Sequence, residues 1–220
     1  MKTALIIGAT GLTGSNLLHL LLMDLRFEKI VIFVRTSTGI THPKLEEHVV
    51  RFDHPGEWVD LVKGDVLFSA MGTTLKKAGS KAAQYAVDFT YQYAFARAAF
   101  VNEVPVYVLV SSAGADAKSL FFYMKMKGEL EEAVRKLHFE RTRILQPGPI
   151  DGDRAEKRSL EKAVFRVIRF LNQLGLCAQY RPIEGAELAK AMRNAALLPE
   201  PGVLEYRLSA VFELAEGNGQ

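Results

Sequence analysis

Short apolar runs alternate with segments of helical periodicity along the first 150 residues of the chain. The runs are rich in β-branched residues and almost continuously hydrophobic, which is typical of strands buried on both faces of a sheet. They lie at residues 3–8, 29–35, 48–52, 65–72, 105–114 and 141–150. This repeated alternation predicts an α/β fold, a doubly wound parallel sheet (Rossmann fold) with a small C-terminal helical cap.

Helical periodicity places helices between and after these strands. They are expected at residues 15–23, 80–102 with a break near Asp88, 120–137, 160–174 and 183–198, with a last strand at 203–210. No linker divides the chain, so a single domain is expected. In it, residues 1–150 form the cofactor-binding core and residues 151–220 form a small substrate cap that completes the same domain.

Composition excludes several classes of protein and site. Of the 220 residues, 49% are hydrophobic and 24% charged, which suits a soluble domain with a full core. The net charge is +3 and no run of basic residues is dense, so no nucleic-acid partner is expected. Cys177 is the only cysteine and the five histidines lack ligand spacing, so neither a disulfide nor a metal site is expected.

The N-terminus begins with Met1 and Lys2 before an apolar run, a pattern that resembles a signal peptide. Glycines interrupt the run, however, and no small-residue cleavage site follows it. No apolar segment is long enough to span a membrane. A cytoplasmic protein without a membrane partner is therefore expected.

The segment IIGATGLTG lies between the first strand and the first helix. Glycines there permit a tight turn and a close approach of the backbone to a pyrophosphate, which the helix N-terminus also favours. The spacing is G-x-x-G-x-x-G rather than G-x-G-x-x-G, and a simple strand-to-helix turn is the alternative. We predict a dinucleotide site formed by Gly8, Ala9, Thr10, Gly11, Leu12, Thr13 and Gly14.

The end of the second strand indicates which dinucleotide binds. NAD-binding proteins usually carry Asp or Glu there, whereas this strand ends in Arg35 followed by three hydroxyl residues. A guanidinium can bind a 2′-phosphate through charge-assisted hydrogen bonds, so NADP(H) is favoured over NAD(H). The alternative is an ordinary surface arginine, which would leave the cofactor preference open.

The fourth apolar run ends in SAMGTT, at the edge of the sheet where ligands bind in doubly wound folds. Gly72, Thr73 and Thr74 are therefore candidates to line the cofactor, with a plain turn as the alternative.

A tyrosine and a lysine four residues apart, Tyr123 and Lys127, share one face of the helix predicted at 120–137. Lys127 is the only charge on an otherwise apolar stripe, and burying it costs free energy unless it finds partners. The preceding strand ends in Ser111 and Ser112. A tyrosine with its pKa lowered by an ammonium can exchange a proton with a substrate oxygen, which suits carbonyl reduction or alcohol oxidation.

The segments GATGLTG, SSAG and YMKMK resemble the glycine motif, active-site serine and Y-x-x-x-K of the short-chain dehydrogenases/reductases. The chain is most similar to their atypical branch around the Tat-interacting-protein oxidoreductase and small bacterial epimerase-like relatives. SAMGTTLKKAGS, AVDF, SSAGADAKSLFFYMKMKGELE and RILQPGPI carry this closer resemblance, which covers most of residues 1–150.

The resemblance implies a Rossmann fold with NADP(H), a catalytic pair formed by Tyr123 and Lys127, and a catalytic serine at Ser111 or Ser112. Ser112 is favoured. Pro147, after the sixth strand, is implied to lie at the cofactor.

Two positions depart from the family pattern. Gln146 stands where many members have arginine, and Asp88 stands where the better-known members have an asparagine of the proton relay.

These features together predict an NADP(H)-dependent oxidoreductase that acts on a small carbonyl or alcohol substrate. Only seventy residues follow Ile150, which leaves little room for a nucleotide-sugar site. The alternatives are an NADP(H)-binding regulatory protein without turnover and a nucleotide-sugar epimerase or dehydratase. A homodimer or another protein partner also stays open.

Overall fold

A computed structural model describes residues 1–151 and 181–217 of the chain. Strands in these ranges are β1 (Lys2–Ile7), β2 (Phe27–Val34), β3 (Leu45–Val49), β4 (Val66–Ser69), β5 (Val106–Val110), β6 (Arg141–Gln146), β7 (Ile150–Asp151), β8 (Ile183–Glu184) and β9 (Gly202–Arg207). Helices are α1 (Leu12–Met23), α2 (Leu75–Ala78), α3 (Lys81–Tyr85), α4 (Tyr91–Val101), α5 (Phe122–Arg135), α6 (Gly185–Leu197) and α7 (Ser209–Ala215). Two 3₁₀ turns (Pro55–Glu57 and Val59–Leu61) and a π-helical turn (Ala86–Thr90) complete the elements.

Seven of these strands form one sheet in the order β3–β2–β1–β4–β5–β6–β9, and every neighbouring pair is parallel. The chain moves outward in one direction from β1 to β3, then returns to β4 on the other side of β1. This reversal between β1 and β4 is the point at which doubly wound sheets bind ligands, outside the carboxyl ends of the strands. The Rossmann fold predicted from the alternation of strands and helices is confirmed.

Apolar side chains cover both faces of the sheet, and the central strands β1 and β4 each contain four consecutive buried residues. On one face α1 and α6 pack together, and Leu17, Leu188 and Met192 belong to the same core. On the other face α4 and α5 cover the sheet. Strand β9 pairs with β6, so the C-terminal segment extends the same sheet.

An aromatic group fills the core beneath α4. The Phe95 ring is fully buried and stacks on Trp58, with ring centroids 3.7 Å apart and planes 4° from parallel. The rings of Phe33 and Phe52 also pack against Phe95, with ring centroids 5.1 Å and 5.3 Å from its own. The Trp58 indole donates its N–H to the carbonyl of Arg51 at 3.0 Å, which ties the segment after β3 to this core.

Several predicted segments differ from the structure or lie outside it. The last strand was predicted at 203–210, but β9 ends at Arg207 and α7 begins at Ser209. Strand β3 spans 45–49 rather than 48–52, because it is an edge strand whose LEEHV sequence is only partly buried and gives a weak apolar signal. Helix α5 begins at Phe122, so Leu120, predicted on its apolar stripe, lies before the helix and is fully exposed. The helix predicted at 160–174, and Cys177, lie outside the described residues.

None of the helices in the described ranges has the length and apolar character needed to cross a bilayer. Within the same ranges, no group of histidine, cysteine and acidic side chains is arranged to hold a metal ion.

Replacing Phe95 with alanine tests the aromatic core. Since this ring is fully enclosed, Phe95→Ala is expected to lower the free energy of unfolding by about 3–5 kcal/mol through lost burial and the resulting cavity. Phe100→Ala is the matched control on the same helix. Because the Phe100 ring is 41% exposed, its removal should lower the free energy of unfolding by only about 1 kcal/mol. Urea unfolding of both variants measures the difference, and equal losses would contradict this description of the core.

Candidate functional site

The glycine loop connects β1 to α1 in a tight turn. Gly8 has φ +83°, a left-handed conformation, and a Cβ there would lie 2.6 Å from the backbone of Ala70 and Met71 after β4. A Cβ on Gly14 would lie 2.1 Å from the Gly8 carbonyl oxygen. The backbone N–H of Gly11 donates to that carbonyl at 2.9 Å, which closes the turn directly before α1 begins. Only glycine fits at these two positions, and the N-terminus of α1 points to the ligand edge of the sheet.

A carboxylate from a neighbouring strand lies at the loop after β2, where the sequence predicted none. Arg35 is exposed, as predicted for a residue that could meet a phosphate. Glu47, on the neighbouring strand β3, accepts the backbone N–H of Thr38 at 2.9 Å and also the Thr38 hydroxyl. Hydrogen bonds from the hydroxyls of Ser37 and Thr38 hold the pKa of the Glu47 carboxyl below its ordinary value. A carboxylate therefore lies at this loop, although it comes from the adjacent strand rather than from the end of β2.

The candidates after β4 are partly engaged within the protein. The backbone N–H of Thr73 donates to Asp88 Oδ2 at 2.9 Å, and the Thr73 carbonyl accepts from Gln84 at 3.3 Å. The Thr74 hydroxyl caps α2 by accepting the backbone N–H of Lys77 at 3.3 Å. Gly72 is exposed at the ligand edge. The structure thus brings this loop against the helix that carries Asp88.

Asp88 lies on the π-helical turn at which the long helix predicted at 80–102 is interrupted. Single π-helical turns widen a helix locally and often occur at functional sites. The side-chain amide of Gln92 donates to the Asp88 carbonyl at 2.8 Å, and Ser69 donates its hydroxyl to Gln92 at 2.7 Å. All three side chains are buried, so a polar link joins the end of β4 to this turn. The sequence showed only the break near Asp88, because the link depends on Ser69, which lies on a different element.

A buried ion pair joins this turn to α5. Lys127 Nζ lies 3.3 Å from Asp88 Oδ1, and the two side chains are 3% and 1% exposed. Burial disfavours the ammonium and acts to lower the pKa of Lys127. Electrostatic interactions with Tyr123, Asp88 and Glu131, together with the hydrogen bond to Asp88, outweigh that effect, and the pKa of Lys127 lies above its ordinary value. Lys127 is therefore a charged lysine within the core of the site.

Tyr123 lies one helical turn before Lys127 on the same face of α5, and its side chain is 38% exposed. The pair thus consists of a solvent-accessible phenol and a buried cation. This arrangement leaves the tyrosine accessible to a ligand at the sheet edge, with the lysine one turn further along the same face.

A second buried carboxylate, Glu131, continues the same face one turn after Lys127. The Ser111 hydroxyl donates to Glu131 Oε1, and the Gln146 side-chain amide lies 2.9 Å from both carboxylate oxygens. Arg135 donates to Glu131 Oε2 at 2.9 Å and pairs with Glu205 on β9. Gln146, the residue that departs from the family pattern, therefore binds Glu131 from the end of β6.

This network distinguishes the two candidate serines. Ser111 is buried, with its hydroxyl engaged by Glu131. Ser112 is half-buried, and among the described residues its hydroxyl has only a 3.4 Å contact with the Ala113 carbonyl. Pro147 is buried, and its carbonyl accepts the backbone N–H of Ala113 at 2.9 Å, so it fixes the loop that presents Ser112.

Comparison with known proteins gives two kinds of relative. The protein named FMP52, mitochondrial, of Coccidioides immitis is 40% identical over 177 residues, 74% of this chain and 72% of the relative. Its namesake in Candida albicans is 34% identical over 191 residues, 84% of this chain and 83% of the relative. No protein-family model matches the chain.

Among solved structures, the fold resembles the Bordetella bronchiseptica enzyme WbmH in complex with NAD+ at a TM-score of 0.67 and 16% identity, covering 94% of this chain and 76% of that one. It also resembles a short chain dehydrogenase family protein of Francisella tularensis at a TM-score of 0.64 and 15% identity, covering 93% of this chain and 96% of that one. These likenesses show that the chain has a Rossmann fold.

The expected cytoplasmic location is wrong. The curated relatives from Coccidioides immitis, Candida albicans and Scheffersomyces stipitis are all named as mitochondrial proteins. The expectation rested on the lack of a recognisable cleavage site and of a long apolar segment, and neither property determines the compartment of a folded protein.

The ion pair gives a testable dependence of stability on charge. Asp88→Asn keeps the side chain's size and an oxygen for the Thr73 N–H but leaves the Lys127 ammonium without its buried counter-charge. We expect a loss of about 3–5 kcal/mol in the free energy of unfolding at pH 7.

Folding raises the pKa of Lys127 above its ordinary value of 10.5. The stabilisation that the charged lysine provides is therefore fully present below pH 10.5 and is lost as the pH rises through the folded-state pKa. The difference between wild type and Asp88→Asn should therefore shrink above pH 10.5. Urea unfolding across this pH range measures it, with Asp60→Asn as the control at an exposed acid. A difference at pH 7 no larger than that of the control would rule out a stabilising pair.

Proposed function

The chain belongs to the FMP52 family, and we propose that it is an oxidoreductase of the short-chain dehydrogenase/reductase type that interconverts a small carbonyl compound and its alcohol with NADP(H). The observation that carries this proposal is the charged, buried Lys127 one helical turn after the half-exposed Tyr123. Both lie on α5, which begins at the ligand edge of the sheet. The resemblance of the YMKMK region to the branch around the Tat-interacting-protein oxidoreductase supports the same assignment.

The glycine loop fits a dinucleotide. A Cβ at Gly8 or Gly14 would collide with backbone, so this turn brings α1 and the end of β4 as close together as a pyrophosphate site requires. WbmH and its relative WbmG from Bordetella bronchiseptica, which share the fold, were solved in complexes with NAD+ or NAD. A nicotinamide cofactor is therefore the ligand that we assign to this loop.

Arg35 supports NADP(H) as the preferred form. Its exposed guanidinium follows β2, where the adenosine ribose binds in this fold, and it can form bidentate hydrogen bonds with a 2′-phosphate. Among the described residues Arg35 has no ion-pair partner that would compete with such a ligand.

The chemistry divides between the cofactor and the side chains. A bound nicotinamide cofactor supplies the hydride that reaches the carbonyl carbon. Tyr123 donates its hydroxyl proton to the carbonyl oxygen, so the product is the alcohol and the tyrosine is left as a phenolate. Lys127 stabilises that phenolate by its positive charge, and Asp88 keeps Lys127 protonated within the core. Ser112 orients the substrate oxygen by a hydrogen bond, because Ser111 is engaged by Glu131.

A second candidate function follows from the fold comparison. Several structural relatives are nucleotide-sugar enzymes, including a UDP-N-acetylglucosamine 4-epimerase from Methanobrevibacter ruminantium with a TM-score of 0.69 and 17% identity. An epimerase would retain its oxidised cofactor and consume none of it, whereas the proposed oxidoreductase shows net oxidation of NADPH.

Cofactor titration followed by a Tyr123→Phe variant tests the proposed function. Calorimetry with NADPH and NADH should show binding of both, with NADPH the tighter. Because Tyr123→Phe removes the proton donor, it should lower the rate of NADPH oxidation with a panel of small carbonyls roughly 10²–10⁴-fold. The affinity for the cofactor should stay within about twofold of wild type, because the site of phosphate binding is untouched.

Tyr85→Phe is the matched control, since this phenol bonds to Glu129 on the outer side of α5. Absence of binding to either cofactor would contradict the proposal. Full cofactor binding with no turnover of any carbonyl would instead favour a regulatory protein.

The two serines give a second test. Ser112→Ala should lower kcat/KM roughly tenfold or more because the substrate oxygen loses one donor. Ser111→Ala removes a buried hydrogen bond to Glu131 and should lower the free energy of unfolding by about 1–3 kcal/mol while changing turnover far less. Parallel kinetics and urea unfolding separate the two effects, and the reverse pattern would assign the catalytic role to Ser111.

A further inference from the structure

The side-chain carboxylate of Glu47 is hydrogen-bonded to the loop that follows β2. The carboxylate of Glu47 accepts two hydrogen bonds there, from the backbone N–H and from the hydroxyl of Thr38. Such a convergence of donors on one oxygen group is also how proteins hold phosphate oxygens. The hydroxyl and the backbone N–H of Thr38 are therefore engaged by a carboxylate of the protein itself.

The position of Glu47 follows from the register of the edge strand. Glu47 pairs with Ile32 in β2, two residues before that strand ends at Val34. Strand β2 in turn lies beside β1, which leads into the glycine loop. The carboxylate therefore lies at the carboxyl end of β2, next to the place where the ribose of a dinucleotide's adenosine binds in this fold.

Two opposite charges thus flank one ligand position. Arg35 attracts a 2′-phosphate, whereas the ionised Glu47 repels it and competes for the two Thr38 donors. A cofactor without the 2′-phosphate meets no such repulsion. The balance between these side chains, rather than Arg35 alone, determines how strongly the phosphate is preferred.

We infer that Glu47 is a specificity-determining residue that weakens binding of the 2′-phosphate and so limits the preference for NADPH over NADH. This inference rests on the proposed function, because it requires that the loop after β2 receives the adenosine ribose.

Glu47→Gln is the decisive variant. Glutamine matches the size of glutamate and keeps one oxygen to accept from the Thr38 N–H, but it removes the charge. The ratio of the Kd for NADH to the Kd for NADPH should rise roughly fivefold or more through tighter NADPH binding, since like charges a few ångströms apart at a protein surface interact on this scale. NADH binding should stay within about twofold of wild type. The rise should be smaller at high salt, because screening weakens the repulsion.

Glu46→Gln is the matched control. Glu46 is the preceding residue on the same strand, but its side chain points to the other face and pairs with Lys29 at 2.6 Å and with His48 at 2.7 Å. Removing this charge should leave the ratio of the two Kd values within about twofold of wild type.

The outcomes separate the inference from the proposed function. If wild type binds neither cofactor, the proposed function fails. If wild type binds and Glu47→Gln leaves the ratio unchanged, or weakens both cofactors equally, Glu47 only shapes the loop and the inference is overturned. If Glu47→Gln does not fold, Glu47→Ala provides the same comparison, with the same expected rise in the ratio.

Discussion

The buried ion pair between Asp88 and Lys127 connects three elements of the site. Asp88 lies on the π-helical turn, Lys127 lies on α5, and the other carboxylate oxygen of Asp88 holds the backbone of Thr73 after β4. Two charges withdrawn from water are expensive unless they meet each other and further hydrogen bonds, so neither side chain can be moved independently. The same constraint that holds these elements together keeps Lys127 charged beside Tyr123. Stability and candidate chemistry therefore depend on one contact.

Charges of alternating sign continue along the buried face of α5. One turn after Lys127, Glu131 joins the ends of β5 and β6 through Ser111 and Gln146, and Arg135 extends the network to Glu205 on β9. Each buried polar group in this series has a partner of opposite charge or a hydrogen-bond donor, which offsets its desolvation. This network also explains why Ser112, rather than Ser111, is available at the ligand edge.

The cofactor side of the sheet is governed by backbone approach and by surface charge. The glycine loop depends on positions at which any Cβ would meet backbone, so its shape tolerates little change. The loop after β2 has no such steric limit, and there the exposed Arg35 and the hydrogen-bonded Glu47 oppose each other. A turn that only glycine fits thus lies beside a loop with an exposed arginine and a hydrogen-bonded carboxylate.

The sequence by itself determined the features that depend on local spacing. Alternating apolar runs and helical segments specified the parallel sheet, the glycines marked the first turn, and the four-residue interval placed Tyr123 and Lys127 on one face. The tertiary structure alone decided the partners of these groups: Asp88 for Lys127, Glu131 for Ser111 and Gln146, and Glu47 for Thr38. Each pair joins elements that are distant in sequence or lie on neighbouring strands, and only strand order and register bring them together. Edge strand β3 was misplaced for a related reason, since a half-covered strand carries charged residues and leaves little apolar signal.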